Sequence, residues 1–147
     1  MISAAFSGEK IERISDEARN LDVVVSARNL VTASSGEKYL VVTGDVYNRG
    51  FTGAARIVLR GRLVGGAGNV MAEVRAPCGK TIDAETLKLT PKGAISGHFR
   101  SKTGELYNCV ISADGSTAFQ LVFDDVPPEY PSALTLEVAA VSAQVAE

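Results

Sequence analysis

The chain has 147 residues, of which 46% are hydrophobic, so it suits one domain with a substantial core and is not expected to be disordered. Its 15 basic and 17 acidic residues are well mixed and give a formal charge of −2, which argues against a nucleic-acid-binding protein. Neither a run of about 18 apolar residues nor a signal-peptide pattern occurs, so no transmembrane helix is predicted, and the chain is expected to be either cytoplasmic or a segment of a longer protein.

Residues 1–20 are predicted to be a lead-in segment, either a short amphipathic helix or a loosely attached stretch. The segment is polar, and a few apolar residues in and just after it lie at helical spacing: Ile11, Ile14, Ala18 and Leu21. From Leu21 onwards the apolar residues recur at every second position, which is the period of a β-strand. We therefore expect residues 21–147 to form one β-sandwich domain.

Seven segments of this domain have the composition of strands, with β-branched and aromatic residues bounded by turn residues. In chain order they are residues 21–31, 39–48, 55–64, 71–76, 106–111, 117–126 and 133–145. One short helix is predicted near residues 83–89, because Asp83 can accept backbone N–H groups as the N-cap and Pro91 prevents the helix from continuing. These elements predict an all-β fold, an immunoglobulin-like antiparallel β-sandwich of about seven strands.

The segment 55–64 alternates most clearly between a buried face and a solvated face. The two faces are Ile57, Leu59 and Leu63 on one side, and Arg56, Arg60 and Arg62, with Val58, on the other. One core between two sheets is expected to contain apolar residues from three segments: Ile57, Leu59, Leu63, Val41, Phe119, Leu121 and Phe123.

The stretch LRGRLVGGAGNV, residues 59–70, contains four glycines and raises the question of a phosphate-binding loop. It matches neither the P-loop pattern nor the spacing of a dinucleotide fingerprint. A strand pattern comes directly after it, so no helix N-terminus is available to hold an anion. The glycines instead indicate the turn of a hairpin, where glycine readily adopts positive φ angles.

Few residues of the sequence suggest catalysis or metal binding. His98 is the single histidine, and no G-x-S-x-G motif accompanies it, so a loop histidine is the favoured interpretation. Asp124 and Asp125 are sequence neighbours that would point to opposite faces of a strand, which favours a turn over a carboxylate pair. Two cysteines alone cannot form a structural zinc site. No catalytic residue, metal site or cofactor is therefore predicted.

Arg56, Arg60 and Arg62 form a row on one predicted strand face and are a candidate face for an anion or a partner. The alternative is a solvated sheet face, which such rows more often represent and which also discourages aggregation at sheet edges.

Several stretches, in this order, resemble a bacterial domain of unknown function. They are YLVVTGDVYNRG, VLRGRLVGGAGNVMAEVRAPCGKTIDAETL, STAFQLVFDDVPPE and LTLEVAAV, within about Leu21 to Ala143. The domain that they resemble lies at the C-terminal end of proteins that begin with a zinc ribbon and continue through one membrane helix. This chain departs from that organisation, because it contains neither the zinc ribbon nor the membrane helix.

The resemblance implies an immunoglobulin-like sandwich on the periplasmic side of the cytoplasmic membrane, anchored by a transmembrane helix that is not present in this chain. The family carries no known catalytic residues, so none is transferred. An oxidising compartment favours a disulfide between Cys78 and Cys109, which would also tie down the Gly- and Lys-rich segment 91–104. Two free buried thiols are the alternative, and a bridge requires Cα atoms about 4.4–6.8 Å apart.

The leading functional hypothesis is a non-enzymatic, extracytoplasmic module that binds a protein or an envelope component through a sheet face or edge. No nucleic-acid partner and no direct membrane insertion are expected. A structural spacer next to a membrane anchor is the first alternative. A hydrolase or transferase using His98 is the second, and it requires His98 to lie in a pocket beside a carboxylate or hydroxyl group.

Overall fold

The computed structural model describes residues 14–128, 130 and 132–146. Within these residues the chain forms six strands and one α-helix: β1 (Leu21–Thr32), β2 (Lys38–Asn48), β3 (Ala54–Gly65), β4 (Val70–Pro77), α1 (Ala84–Leu89), β5 (Ser116–Phe123) and β6 (Leu134–Val145). The strands form two antiparallel sheets of three strands each, so the prediction of an all-β sandwich with one short helix is confirmed.

The order of strands decides which edges lie on the same side of the sandwich. The first sheet has the order β1-β2-β5 and the second has the order β4-β3-β6. Across the sandwich, β1 contacts β6 and β4 contacts β5. The edge strands β1 and β6 therefore flank one side, and β5 and β4 flank the other.

The strand predicted over residues 106–111 is absent, which leaves six strands in the described part of the chain rather than about seven. The segment forms two isolated bridges instead, between Ile111 and Ala54 and between Leu106 and Arg100. A side chain replaces a ladder bond in this region, because Oδ1 of Asn108 accepts the backbone N–H of Arg56 at 2.7 Å. The residue composition is that of a strand, but the local pairing is too irregular for a ladder.

The main core lies between the two sheets and contains six of the seven predicted core residues: Ile57, Leu59, Leu63, Phe119, Leu121 and Phe123. The prediction for Val41 was wrong, because Val41 belongs to a second cluster on the outer face of the first sheet. Its neighbours Leu40 and Val42 point into the main core. Both faces of β2 are covered here, so the run of apolar residues does not show which of them faces inward.

Residues 82–99 cover that outer face and bury the second cluster, which consists of Ala33, Tyr39, Val41, Ile82, Leu87, Ile95, Phe99 and Val122. Helix α1 begins as predicted, since the side chain of Asp83 accepts from both the backbone N–H and the hydroxyl of Thr86. The Tyr39 hydroxyl donates to the carbonyl of Thr90 at 2.7 Å. Burial, followed by the negative charge of Glu37, raises the pKa of Tyr39. The tyrosine thus anchors the covering segment to the sheet as a neutral donor.

The lead-in segment is described only from Ile14 onwards, so its prediction for residues 1–13, Ile11 included, lies outside the described residues. The described part of this segment leads into a short 3₁₀ turn, Ala18–Asn20. The hydroxyl of Ser15 donates to the Ala143 carbonyl at 3.2 Å and accepts the Ala143 N–H at 3.0 Å. This contact attaches the start of the described chain to β6.

The glycine-rich stretch is a hairpin turn between β3 and β4. The N–H of Gly65 donates to the carbonyl of Asn69 at 2.8 Å, and the N–H of Gly68 donates to the carbonyl of Gly65 at 2.9 Å. Gly68 has a φ angle of +86°, in the region that favours glycine. The interpretation of this stretch as a hairpin turn is confirmed, and Gly68 provides a positive φ angle within it.

Candidate functional site

His98 contacts a structural threonine rather than a nucleophile. Its Nε2 lies 3.1 Å from the hydroxyl oxygen of Thr90, a buried side chain. The Thr90 hydroxyl donates its single proton to the Thr86 carbonyl at 2.7 Å, so it accepts from the histidine N–H. Within the described residues, no carboxylate is hydrogen-bonded to this ring. These hydrogen bonds therefore stabilise the segment 82–99 that covers the first sheet, and they do not place a base next to a nucleophile.

Asp124 and Asp125 do not act as a pair. Oδ2 of Asp124 accepts the backbone N–H of Gly93 at 3.2 Å, whereas Oδ1 of Asp125 lies 3.4 Å from Nζ of Lys92. The two carboxylates thus hold the loop after α1. No group of three or more His, Cys, Asp or Glu side chains with the geometry of a metal site occurs among the described residues.

On the outer face of the second sheet, Arg60 and Arg62 lie among neighbours of both charges. Strand β4 places Arg75 opposite Arg60 and Glu73 opposite Arg62, and β6 places Glu137 opposite Arg62. Nε of Arg62 lies 2.9 Å from one oxygen of Glu73, and Nε of Arg75 lies 3.4 Å from the other. Because carboxylates interrupt the row, this face is a mixed-charge surface rather than a continuous strip of positive charge.

The pKa values of this surface follow from its ion pairs and its partial burial. Desolvation raises the pKa of Glu73, but the hydrogen bonds and charges of Arg62 and Arg75 outweigh it and hold this pKa below its ordinary value. For Arg60, partial burial is the first cause and the charge of Arg62 the second, and both lower its pKa. Glu73 is therefore the carboxylate on which these arginines converge.

We expect Glu73→Gln to destabilise the protein slightly near neutral pH and to have less effect in acid. A depressed folded-state pKa means that ionised Glu73 stabilises the fold above its unfolded pKa of about 4.3, and that this stabilisation is lost as pH falls through the folded pKa. The effect is small because the pair is partly exposed. Urea unfolding of both proteins from about pH 7 to about pH 3 measures it, and a difference that stays constant over this range would contradict the prediction.

Arg56 does not share a groove with the other two arginines of the predicted row. It lies where the pairing of β3 with β6 shifts register, between Ala55 and Val58. Its φ angle is +51°, a left-handed conformation that is uncommon for arginine. The Asn108 side chain holds this conformation by accepting the backbone N–H of Arg56. The bulge displaces Arg56 from the regular alternation on which the sequence-based row depended.

Arg56 lines a groove together with cationic side chains from two other segments. The groove has a volume of about 390 Å³, and its lining includes Lys80, Arg100 and Tyr107. Ser101, Asn108 and one carboxylate, Glu105, also line it. We call this the basic groove. Sequence reasoning missed Lys80 and Arg100, which are far apart from Arg56 in the chain.

A disulfide shapes the basic groove. Cys78 and Cys109 are joined by a disulfide, with their Cα atoms 5.3 Å apart, a distance within the range that a bridge requires. The bridge places Lys80, two residues after Cys78, near Tyr107, two residues before Cys109, and Nζ of Lys80 lies 5.5 Å from the Tyr107 ring centroid. The positions of Lys80 and Tyr107 beside the two cysteines were the sequence signal that could have placed these two residues together.

The side of the sandwich between β1 and β6 exposes apolar side chains that point inward. Leu30 is paired with Leu40 and Val25 with Gly44, two core-facing positions, and directly opposite residues share a face. Nevertheless Val25 is 36% exposed and Leu30 is 48% exposed. The inner face of the first sheet thus continues onto β1, where the second sheet no longer covers it.

Strand β6 contributes the facing row. Leu134, Leu136 and Val138 pack against the main core but are only half-buried. Ser15 contacts the Ala143 end of the same strand. We call the surface formed by Val25, Leu30 and the half-buried row of β6 the open side. Its two long edge strands, and the apolar row of β6 at a spacing of two residues, fit an extended chain.

The described part of the chain contains no helix that is long and apolar enough to cross a membrane. No family model and no curated protein matches the sequence. Among solved structures, the chain is similar to the protein described as "X-ray structure of Northeast Structural Genomics Consortium target SoR45", with 12% sequence identity over 85% of this chain and 84% of that chain and a TM-score of 0.39. That description names no activity, ligand or partner, and a likeness of this size carries no argument about function.

Proposed function

We propose that this protein is a non-enzymatic interaction module that binds an extended segment of a partner protein along its open side. The observation that carries the proposal is the exposure of Val25 and Leu30, which belong to the inner face of a sheet and yet contact solvent. Strand addition at a sheet edge supplies backbone hydrogen bonds, and pockets for alternate side chains supply specificity.

The chemistry of the open side defines the segment that it would bind. The inward residues of β6 recur at every second position, at Leu134, Leu136 and Val138, so a matching strand needs apolar side chains at the same spacing. Arg28 is paired with the core residue Val42 and lies on the same face of β1 as Leu30. The proposed occupant is therefore an extended segment with alternating apolar residues and an acidic residue near Arg28.

A binding role rather than catalysis is supported by the contacts of the titratable residues. His98 contacts the hydroxyl of Thr90, whose proton is already donated to a backbone carbonyl. Asp124 and Asp125 bind two different groups of the loop after α1, the backbone N–H of Gly93 and the ammonium group of Lys92. Each of these side chains thus has a structural partner.

We also propose that the module is extracytoplasmic and anchored through a membrane helix outside this chain, as the family resemblance implies. The Cys78–Cys109 disulfide supports an oxidising compartment, because such bridges persist outside the cytoplasm. The finer class of the fold, immunoglobulin-like, belongs to the same proposal. It is supported by the strand orders β1-β2-β5 and β4-β3-β6, which correspond to strands A-B-E and C′-C-F of that fold.

Site-specific photo-crosslinking in envelope extracts tests the binding role. A photoreactive residue at Leu30 is compared with one at Val110, a matched control that is 54% exposed but lies outside the open side. We expect a discrete crosslinked protein at position 30 only, and we expect Val25→Lys to abolish that product. Equal crosslinking at the two positions, or none at position 30, would contradict the proposal. The remaining hypothesis would then be a structural spacer next to a membrane anchor.

A further inference from the structure

We propose that the basic groove is a second binding site, specific for the phosphate group of an anionic ligand. Arg56, Lys80 and Arg100 come from three separate segments, namely the bulge of β3, the turn after Cys78 and the loop after the 3₁₀ turn Ile95–Phe99. The site is distinct from the open side, which is formed by β1 and β6.

The charge of the groove favours a dianion. Three cationic side chains face one carboxylate, Glu105, in a chain whose formal net charge is −2. The outer face of the second sheet differs from the groove, because Glu73 and Glu137 lie directly opposite Arg62 there. A phosphate monoester carries close to two negative charges at neutral pH and therefore balances this groove, whereas a single carboxylate does not.

The cationic groups retain the capacity to bind a ligand. None of the ion pairs within the described residues involves Arg56, Lys80 or Arg100. Arg100 donates one N–H to the Gly104 carbonyl at 2.8 Å, which leaves further donors of its guanidinium group. Lys80 lies over the ring of Tyr107, which orients its ammonium group without neutralising it. Planar guanidinium groups match the oxygens of a phosphate particularly well.

The backbone at Arg56 supports a functional role for this side chain. The left-handed conformation of Arg56 is uncommon for residues other than glycine, because it brings Cβ close to the following carbonyl oxygen, whereas asparagine tolerates it better. Such outliers concentrate at binding sites, where the surrounding structure enforces them. Here the enforcing contact is the 2.7 Å hydrogen bond to Asn108, a residue that itself lines the groove.

The groove is also preorganised. The disulfide fixes Cys109 to Cys78, and the Tyr107 N–H donates to the Phe99 carbonyl at 2.8 Å. The Ser101 N–H donates to the Glu105 carbonyl at 2.7 Å, which closes the turn that carries Arg100. Because these segments are already held together, binding requires little ordering of the backbone.

Titration of the isotope-labelled full chain, followed by NMR, tests the inference. The probes are glycerol phosphate and, at matched ionic strength, acetate. We expect saturable shifts at Lys80, Arg100 and Asn108 with glycerol phosphate, and at least about fivefold weaker binding of acetate. Vesicles with and without phosphatidic acid distinguish a lipid headgroup from a soluble phosphate ester. Absence of saturable shifts with both phosphate probes would overturn the proposal.

Three variants separate binding from structure. Arg56→Asn removes the guanidinium group but tolerates the positive φ angle, so its melting temperature is expected to equal or exceed that of the wild type while phosphate affinity falls about fivefold or more. Arg100→Gln is expected to lose affinity to a similar extent. Lys88→Gln removes one positive charge from α1, outside the groove, and is expected to leave the affinity unchanged. Retained affinity in Arg56→Asn, or an equal loss in Lys88→Gln, would show that the groove is not the site.

Discussion

Leu121→Ala is expected to lower the free energy of unfolding by about 2–5 kcal/mol, as large-to-small changes in a well-packed core do. Leu121 has no exposed surface and lies in β5 within the main core. A Cβ atom built on Gly61 would lie 2.9 Å from Cδ1 of Leu121, so the leucine packs closely against the backbone of the central strand β3. That strand is hydrogen-bonded on both sides and cannot readily move into the cavity.

The matched control for this prediction is Leu89→Ala, because Leu89 is 74% exposed at the end of α1 and its loss should change stability by less than about 0.5 kcal/mol. Urea unfolding measures both variants. A double-mutant cycle adds a sharper test. Gly61→Ala is expected to destabilise the wild type through overcrowding and to be tolerated better in Leu121→Ala, where its methyl group enters the cavity. Equal stability of Leu121→Ala and the wild type would contradict the placement of Leu121 in a closely packed core.

Replacing both cysteines by alanine is expected to lower the free energy of unfolding by about 3–4 kcal/mol on the chain-entropy account of disulfides. The cysteines are separated by 31 positions, and the enclosed segment includes α1 and the turn that covers the first sheet. In the unfolded protein the bridge restricts this long loop, and its removal increases the entropy of the unfolded chain.

Chemical reduction of the wild type separates the bridge from the packing of the sulfur atoms. Cys78 and Cys109 are both buried, so the alanine variant also loses some core contacts. Reductant is expected to lower the stability of the wild type by nearly the same amount and to leave the Cys78→Ala/Cys109→Ala variant unaffected. Unfolding in urea with and without reductant provides the measurement. An unchanged wild type in reductant would refute the stabilising role of the bridge.

Several local features were predictable because each depends on a few consecutive residues. The alternation of Ile57, Leu59 and Leu63 predicted the buried face of β3, and the glycines after it predicted a hairpin turn. Asp83 predicted the first turn of α1, because an N-cap aspartate accepts N–H groups that the helix leaves without partners. The core residues Phe119, Leu121 and Phe123 of β5 were also predicted correctly, although both faces of this strand are buried from Phe119 onwards.

The face on which Val41 lies could not be predicted from that period. Residues 39–42 of β2 are all apolar and all buried, because the second sheet covers one face and residues 82–99 cover the other. Periodicity identifies a buried face only when the opposite face is wet. The assignment of Val41 depended on a covering segment that is distant in the chain.

The sequence by itself thus determined the all-β class, the positions of most strands, the start of the helix and the turn between β3 and β4. Only the tertiary structure decided that the segment around Cys109 forms isolated bridges, that a bulge separates Arg56 from Arg60 and Arg62, and that Lys80 and Arg100 join Arg56 in one groove. The physical reason is the range of the interactions involved. Strand period and capping act between near neighbours, whereas strand order, register shifts and the disulfide join residues far apart in the sequence.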